Sequence, residues 1–369
     1  MNDSELALHL YEAERSMTQG LQAARGGVRE LLTRLEAARK GATEVQPPIV
    51  GPPSEELQVL MAASYQPGWG DVLQHKHGDG TEFTLHDKEL ICGARSGAIT
   101  HSQDPVPVTV DIRNVLLSQG PVTVGWGLCL NHVGGLIDGL TAVGLGATID
   151  GHKRDGHAVY GKLLADLEVR ELDAIDCAGQ AMQLVTRPKE GTVPERLDLV
   201  LGQVFAKDCS YQAVGHGGGG SAMLALYCAS KGGTTITADR IALVGTKGQP
   251  ENPKEQAATR GGIQTWADGH DRDSAWIGHF NCAELDVDME QGDRHPLDFK
   301  DTDFVNLERV KGRLRGAHQV RDGLPVLINM AKTSREGGLR IGYSEFPFVA
   351  LVDGVTVKVA AKEGVLLGW

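Results

Sequence analysis

The chain has 369 residues, with 48 Asp and Glu against 36 Lys and Arg, and a formal net charge of −12. A net negative chain with scattered cations repels polyanions, so nucleic acid and anionic membrane surfaces are excluded as expected partners. No apolar run reaches the ~18 residues of a membrane span, and Met1–Leu10 has neither the basic nor the apolar region of a secretion signal, so neither membrane insertion nor a signal peptide is expected.

Residues 4–40 are rich in Ala, Leu, Glu and Arg and lack Pro. Leu10, Met17, Ala24, Leu31 and Ala38 recur every seven residues, and Ala7, Leu21, Val28 and Leu35 fill the complementary positions with Glu14 the one mismatch, a heptad pattern with mostly apolar a and d sites. Asp3 or Ser4 can cap the start, and Lys40-Gly41 supplies a basic last turn and a stop. An ordinary amphipathic helix docked on the body would use the same face. Strict register over this length favours self-association through Leu10, Met17, Leu21, Val28, Leu31 and Leu35, although Gly20, Gly26 and Gly27 each lower helix propensity by ~1 kcal/mol. Residues 1–45 are therefore read as an N-terminal coiled-coil helix. Gln46–Pro53 holds four prolines in eight residues, a semi-rigid spacer that can join neither a helix nor a central strand. Residues 46–84 are read as this linker followed by a short helix and loop that cap a solenoid.

Beyond residue 84 the signal changes from helical to alternating. Short β-branched or aliphatic runs, Val108–Asp111, Leu163–Val169, Leu197–Phe205, Ala222–Tyr227, Thr234–Val244, Leu324–Asn329 and Val349–Val359, are separated by Gly, Asp, Asn or Pro. The 48 glycines make up about 13% of the chain against a usual ~7%, as repeated sharp turns require. Ala142, Ala174, Ala206 and Ala238 follow one another at steps of 32 residues, each preceded two residues earlier by Leu140, Leu172, Val204 or Ile236. The segment 165–182 also lies over 197–214, sharing Asp176/Asp208, Cys177/Cys209 and Gln180/Gln212. A fixed period in this range means a unit that buries its apolar face only by stacking on copies of itself. The fold class expected is all-β: a parallel β-helix (β-solenoid) over 85–337, with the N-terminal coiled-coil helix and a C-terminal β cap over 338–369. Asp353-Gly354 is a hairpin signal within that cap.

Asp176 and Asp208, one period apart, are candidate catalytic carboxylates, since successive coils bring such groups within about 5 Å, near the separation used by retaining glycosidases. Their repeated context equally suits a turn role in which Asp bonds to backbone N–H groups. The densest cluster of aromatic, imidazole and carboxylate groups is Trp266, Asp268, His270, Asp271, Asp273, Trp276 and His279. Asp268 and Asp271 are catalytic candidates there. Trp266, His270, Asp273, Trp276 and His279 are carbohydrate-binding candidates, because Trp rings stack on sugar faces and carboxylates accept from hydroxyls. A solvated polar loop with Trp266 covering the core has the same composition. The glycine run 217–220 lacks the Lys-Ser/Thr of a phosphate loop. The histidines at 75, 77, 152 and 157 lack evident co-ligands, and the six cysteines have no zinc spacing and read as reduced, buried thiols. No metal or other cofactor is expected.

The stacked motif over roughly 85–340 resembles the right-handed parallel β-helix proteins, the architecture shared by pectate-lyase-like enzymes and bacteriophage tailspikes. The resemblance implies a homotrimer assembled in a host cytoplasm and located in the virion tail. Residues 1–45 would contact other tail proteins, and the β-helix would bind host surface polysaccharide. A polysaccharide lyase or glycoside hydrolase of the pectate-lyase-like class, or a purely structural virion solenoid, are the alternatives it leaves.

Overall fold

The computed structural model describes residues 71–75, 81–92, 96–100, 106–119, 125–146, 156–186, 193–210, 222–245, 261–267, 274–290, 295–315 and 319–369. The chain divides into two compact units, Met1–Ala63 and Ser64–Trp369, and all described residues belong to the second. The heptad residues Leu10, Met17, Leu21, Val28, Leu31 and Leu35 lie outside them.

Among the described residues every regular element is a strand of one sheet. The strands fall into coils. The first holds β1 (Asp71–His75) and β2 (Glu82–Cys92), the second β3 (Ser96–Thr100) and β4 (Val108–Gln119). Single long strands, β5 (Trp126–Val143) and β6 (His157–Ile175), make up the third and fourth. Then come β7 (Met182–Val185) with β8 (Asp198–Lys207), β9 (Ala222–Tyr227) with β10 (Thr234–Gly245), β11 (Gly261–Thr265) with β12 (Ile277–Glu290), and β13 (Leu297–Phe299) with β14 (Thr302–Arg315). The ninth coil, β16 (Leu324–Met330) and β17 (Gly338–Ser344), is entered through the small strand β15 (Val320–Arg321). Short strands pair in parallel only with short strands of adjacent coils, and long with long, β5 and β6 serving both ladders. The result is a solenoid-like sheet compatible with a parallel β-helix. Asp71–His75, within the stretch read as a cap, is the first short strand, and the parallel ladders continue past residue 338 through β17 and β18 (Phe348–Val352).

Equivalent residues pile up inside. Leu117, Ala142, Ala174, Ala206, Leu243 and Val287 form one inward column, all fully buried. The step is 32 residues from Ala142 to Ala174 to Ala206, but 37 to Leu243 and 44 to Val287. Ala238 therefore does not stack on Ala206; it sits over Leu201. Connections between strands differ in length from coil to coil, so the sequence period holds only where they match. Cys177 and Cys209 do repeat a position: their Sγ atoms approach the carbonyls of Ala142 and Ala174 at 3.9 and 3.3 Å, one coil apart. All six cysteines are free and buried. Each large side chain enclosed in this way stabilises the fold by about 1.5–3 kcal/mol.

Within a long strand the inward phase slips once. In β4, Ile112 and Val115 both point inward while Arg113 and Asn114 are both exposed. A flat pleat cannot place those two apolar residues on one side, so the strand turns a corner there. Asp87, Asn114 and Gly139 occupy this corner in the first three coils with φ of 51°, 51° and 73°. Short polar residues and glycine tolerate this left-handed conformation. Asn114 Nδ2 donates to Asp87 Oδ1 at 3.0 Å, and a Cβ at position 139 would approach Asn114 Oδ1 to 3.0 Å.

The last turn reverses direction. Asp353 (φ 49°) and Gly354 (φ 76°) fold β18 onto β19 (Val355–Val359) as an antiparallel hairpin, the I′-type geometry signalled by the dipeptide. β20 (Val365–Gly368) pairs antiparallel with β17. These two strands end the two ladders.

Candidate functional site

The two ladders have different exteriors. Outward side chains of the long strands are ion-paired, often between coils: His86 with Asp111 at 2.9 Å, Arg170 with Asp138 at 3.4 Å, Arg240 and Lys311 with Glu284 at 3.0 and 2.8 Å, and Arg340 with Glu308 at 2.9 Å. The Lys311 hydrogen bond, with further help from nearby cations, holds the Glu284 carboxyl below its usual range. Exposed pairs like these add little stability each and fill the surface with matched charge. The side of the short strands away from the core holds Cys129, Tyr160, Gln183, Ala225, Gln264, Asp298 and Asn329, one above another and nearly free of charge, with Cys129, Ala225 and Gln264 themselves buried.

On coils seven to nine this column becomes a hydrogen-bonded chain, joined from coil six by Tyr227, two residues beyond Ala225. The Tyr227 hydroxyl bonds Gln264 Oε1 at 2.5 Å, and Gln264 Nε2 donates to Asp298 Oδ2 at 3.2 Å. Asn329 Nδ2 donates to Asp298 Oδ1 at 2.8 Å, and Lys300 Nζ lies 3.3 Å from Oδ2. Trp266 continues the register of Thr265, which pairs with Leu226 and Phe299, so it stands between Tyr227 and Lys300. Its ring meets Tyr227 edge-on at 5.9 Å and is 38% exposed. A second aromatic pair, Trp126 and Tyr160 at 6.0 Å, lies on the same exterior three coils earlier. An exposed indole beside fixed amide and carboxylate groups can take the apolar face of a ring while bonding polar groups on its rim. Among the described residues Asp298 is the one carboxylate in this column. With both its oxygens engaged as acceptors, the arrangement suits holding hydroxyls better than cleavage by a carboxylate pair.

The residues singled out from sequence are dispersed. Asp176 and Asp208 lie past the far end of the long strands, stacked with Gly144 at left-handed turn positions (φ 60°, 52° and 68°). Their N–H groups bond the carbonyls of Lys207 and Val244, both at 2.8 Å. A whole long strand separates that turn from the turn that carries Trp266. Trp276 immediately precedes β12 and is clamped: Arg335 lies over its ring at 4.3 Å while bonding both oxygens of the buried Asp303 at 3.0 and 2.9 Å. His279 stacks flat on Phe304 of the next coil at 5.0 Å, on the exterior of the long strands. Asp268, His270, Asp271 and Asp273 lie outside the described residues. Among the described residues no group of three or more His, Cys, Asp or Glu is placed to hold a metal ion, and no helix is long and apolar enough to cross a membrane.

Tyr227, Gln264, Asp298, Lys300 and Asn329 escape sequence reasoning because their spacings are unequal. Tyr227 to Gln264 is 37 residues, Gln264 to Asp298 is 34, and Asp298 to Asn329 is 31. Only the strand register aligns them. No protein family, curated protein or solved structure matches the chain.

Proposed function

We propose that the chain is a polysaccharide-binding solenoid of the phage tailspike or tail-fibre type. In this reading residues 1–45 form a coiled coil that trimerises the chain and attaches it to the tail. The short-strand exterior of coils six to nine binds a host surface glycan. The observation that carries it is Trp266, exposed at the head of the Tyr227–Gln264–Asp298–Asn329 chain. Coils repeat every ~4.8 Å, so neighbouring coils offer successive contacts to a chain-like ligand. A glycan array probed with the full chain and with Trp266→Ala tests it: retention of a defined set of glycans, lost in the variant, supports binding at this face. No retention on any glycan counts against it and favours a purely structural solenoid.

A polysaccharide lyase or hydrolase is the second reading. It is favoured by the position of Asp268 and Asp271 in the connection between Trp266 and the clamped Trp276. Release of oligosaccharide from a retained glycan, abolished by Asp268→Asn or Asp271→Asn with retention intact, would move the reading from binder to depolymerase.

A further inference from the structure

We propose that the first half of the long-strand exterior on coils six to eight packs against the same surface of further copies of this chain. The inference rests on residues 1–45 as a trimerising stalk and adds the surface on which the solenoid bodies meet. Two columns run up that half of β10, β12 and β14. Thr235, His279 and Phe304 lie in register in one, and Thr237, Asn281 and Asn306 in the other. The residues between them, Ile236, Phe280 and Val305, are buried, so these six point outward. Thr237 and His279 are exposed, and Val200, one coil below Thr237, is 43% exposed. The two columns end where Asp239-Arg240 and Glu308-Arg309 are exposed in succession, the corner of these strands.

Charge selects a second copy as the occupant. Past the corner the same strands carry Arg240, Glu284, Asp286 and Lys311. The matching half-strands of coils two to five carry Asp111, Arg113, Asp138, Arg170 and Asp198. Copies held by a stalk at one end lie side by side at equal height, so near the symmetry axis each level meets its own equivalent. Charged levels would then face like charges, which costs several kcal/mol. The six residues of the two columns have no charge to oppose, with His279 neutral. They also suit their own copies chemically: a hydroxyl, an amide and a neutral imidazole each hold a donor and an acceptor. The Thr237 and Asn281 side chains have no hydrogen bond among the described residues, so theirs remain to be met. His279 stacked on Phe304 at 5.0 Å adds an aromatic plate, and aromatic residues are enriched in interface cores. The patch is only two coil steps of ~4.8 Å tall. A short tether raises the effective concentration of its partners to about the millimolar range, where a small patch suffices.

The test places one thiol on the full chain, at Thr237→Cys on this surface or at Arg313→Cys beyond the corner, both exposed positions. All six native cysteines are buried, so the new thiol is the one open to oxidation. Light scattering gives the number of chains, and copper-phenanthroline oxidation gives the rate of disulfide-linked dimer on a denaturing gel. Thr237→Cys is expected to cross-link roughly tenfold or more faster than Arg313→Cys, because apposed thiols share a high effective concentration. Adding Asn281→Asp should remove that margin at low salt and return part of it as salt screens the facing carboxylates. Equal rates at the two positions, or no cross-link at either, in a chain that is trimeric by light scattering would overturn the surface and leave the stalk standing. A margin untouched by Asn281→Asp also overturns it. A monomeric chain overturns both readings.

Discussion

The interior column of small residues gives the sharpest mechanical prediction. Ala174 has Ala142 below it and Ala206 above it, all three fully buried. Strands lie ~4.8 Å apart, and interiors are packed with few voids larger than a water molecule. Leucine at 174 adds three carbons where the columns on either side are already occupied by Leu172 and Cys177, both fully buried. Overpacking of this kind destabilises by about 1–3 kcal/mol. In a stack where each coil touches only its neighbours the loss is local, so a single unfolding midpoint describes it poorly. Native-state hydrogen exchange resolves it: at about 2 kcal/mol, amides of β5, β6 and β8 should exchange roughly 30-fold faster. Those of β2, β14 and β17 should be unchanged. A uniform change along the chain, or none, would refute the stacked interior.

Three further outcomes follow from particular contacts. Burial pushes the thiols of Cys92, Cys228 and Cys282 up to about 12, so native protein at pH 8 should resist iodoacetamide at all six buried cysteines; rapid labelling would contradict the packing. Burial first, and then Arg321 and Lys300, lower the pKa of His295, while Asp298 opposes them. The unfolded chain takes up a proton near ~6.5 where the folded one resists, so this share of stability is full above that pH and declines as pH falls below it; His295→Gln should flatten the slope between pH 7 and 5 in urea unfolding, and an unchanged slope would exclude His295 as its source. Asp298→Ala strands the donors of Gln264 and Asn329 and should cost about 1–3 kcal/mol, seen as faster exchange in β11 and β16, whereas no change there would show that the polar chain is not formed.

Sequence carried the architecture further than the site. The 32-residue echo was true where connecting segments match, at Ala142, Ala174, Ala206 and the two cysteines, and misleading at Ala238, where the step had grown to 37. Ala222–Tyr227 is a strand with the bounds read from its composition, and Asp353-Gly354 makes the expected turn. β5 was hidden by its glycines. Gly135, at φ 117°, sits where a Cβ would come within 2.3 Å of the Val110 carbonyl, so close coil contact required a residue that erases the strand pattern. The corner at Arg113-Asn114 similarly breaks simple alternation in β4. Trp266 was legible as an exposed aromatic among polar neighbours. Its partners Tyr227, Gln264, Asp298 and Asn329 were not, because each is an ordinary strand residue given meaning only by what lies in the next coil. Trp276 and His279 were legible as unusual, but their rings are engaged by Arg335 and Phe304.

The most direct measurement is a crystal structure of the full chain soaked with a saccharide retained on the array. A sugar ring is expected against Trp266, with its polar groups reaching Lys300 and Asn329 across coils seven to nine. Sugar density on the ion-paired exterior of β4 or β12, with the Trp266 face bare, would contradict it.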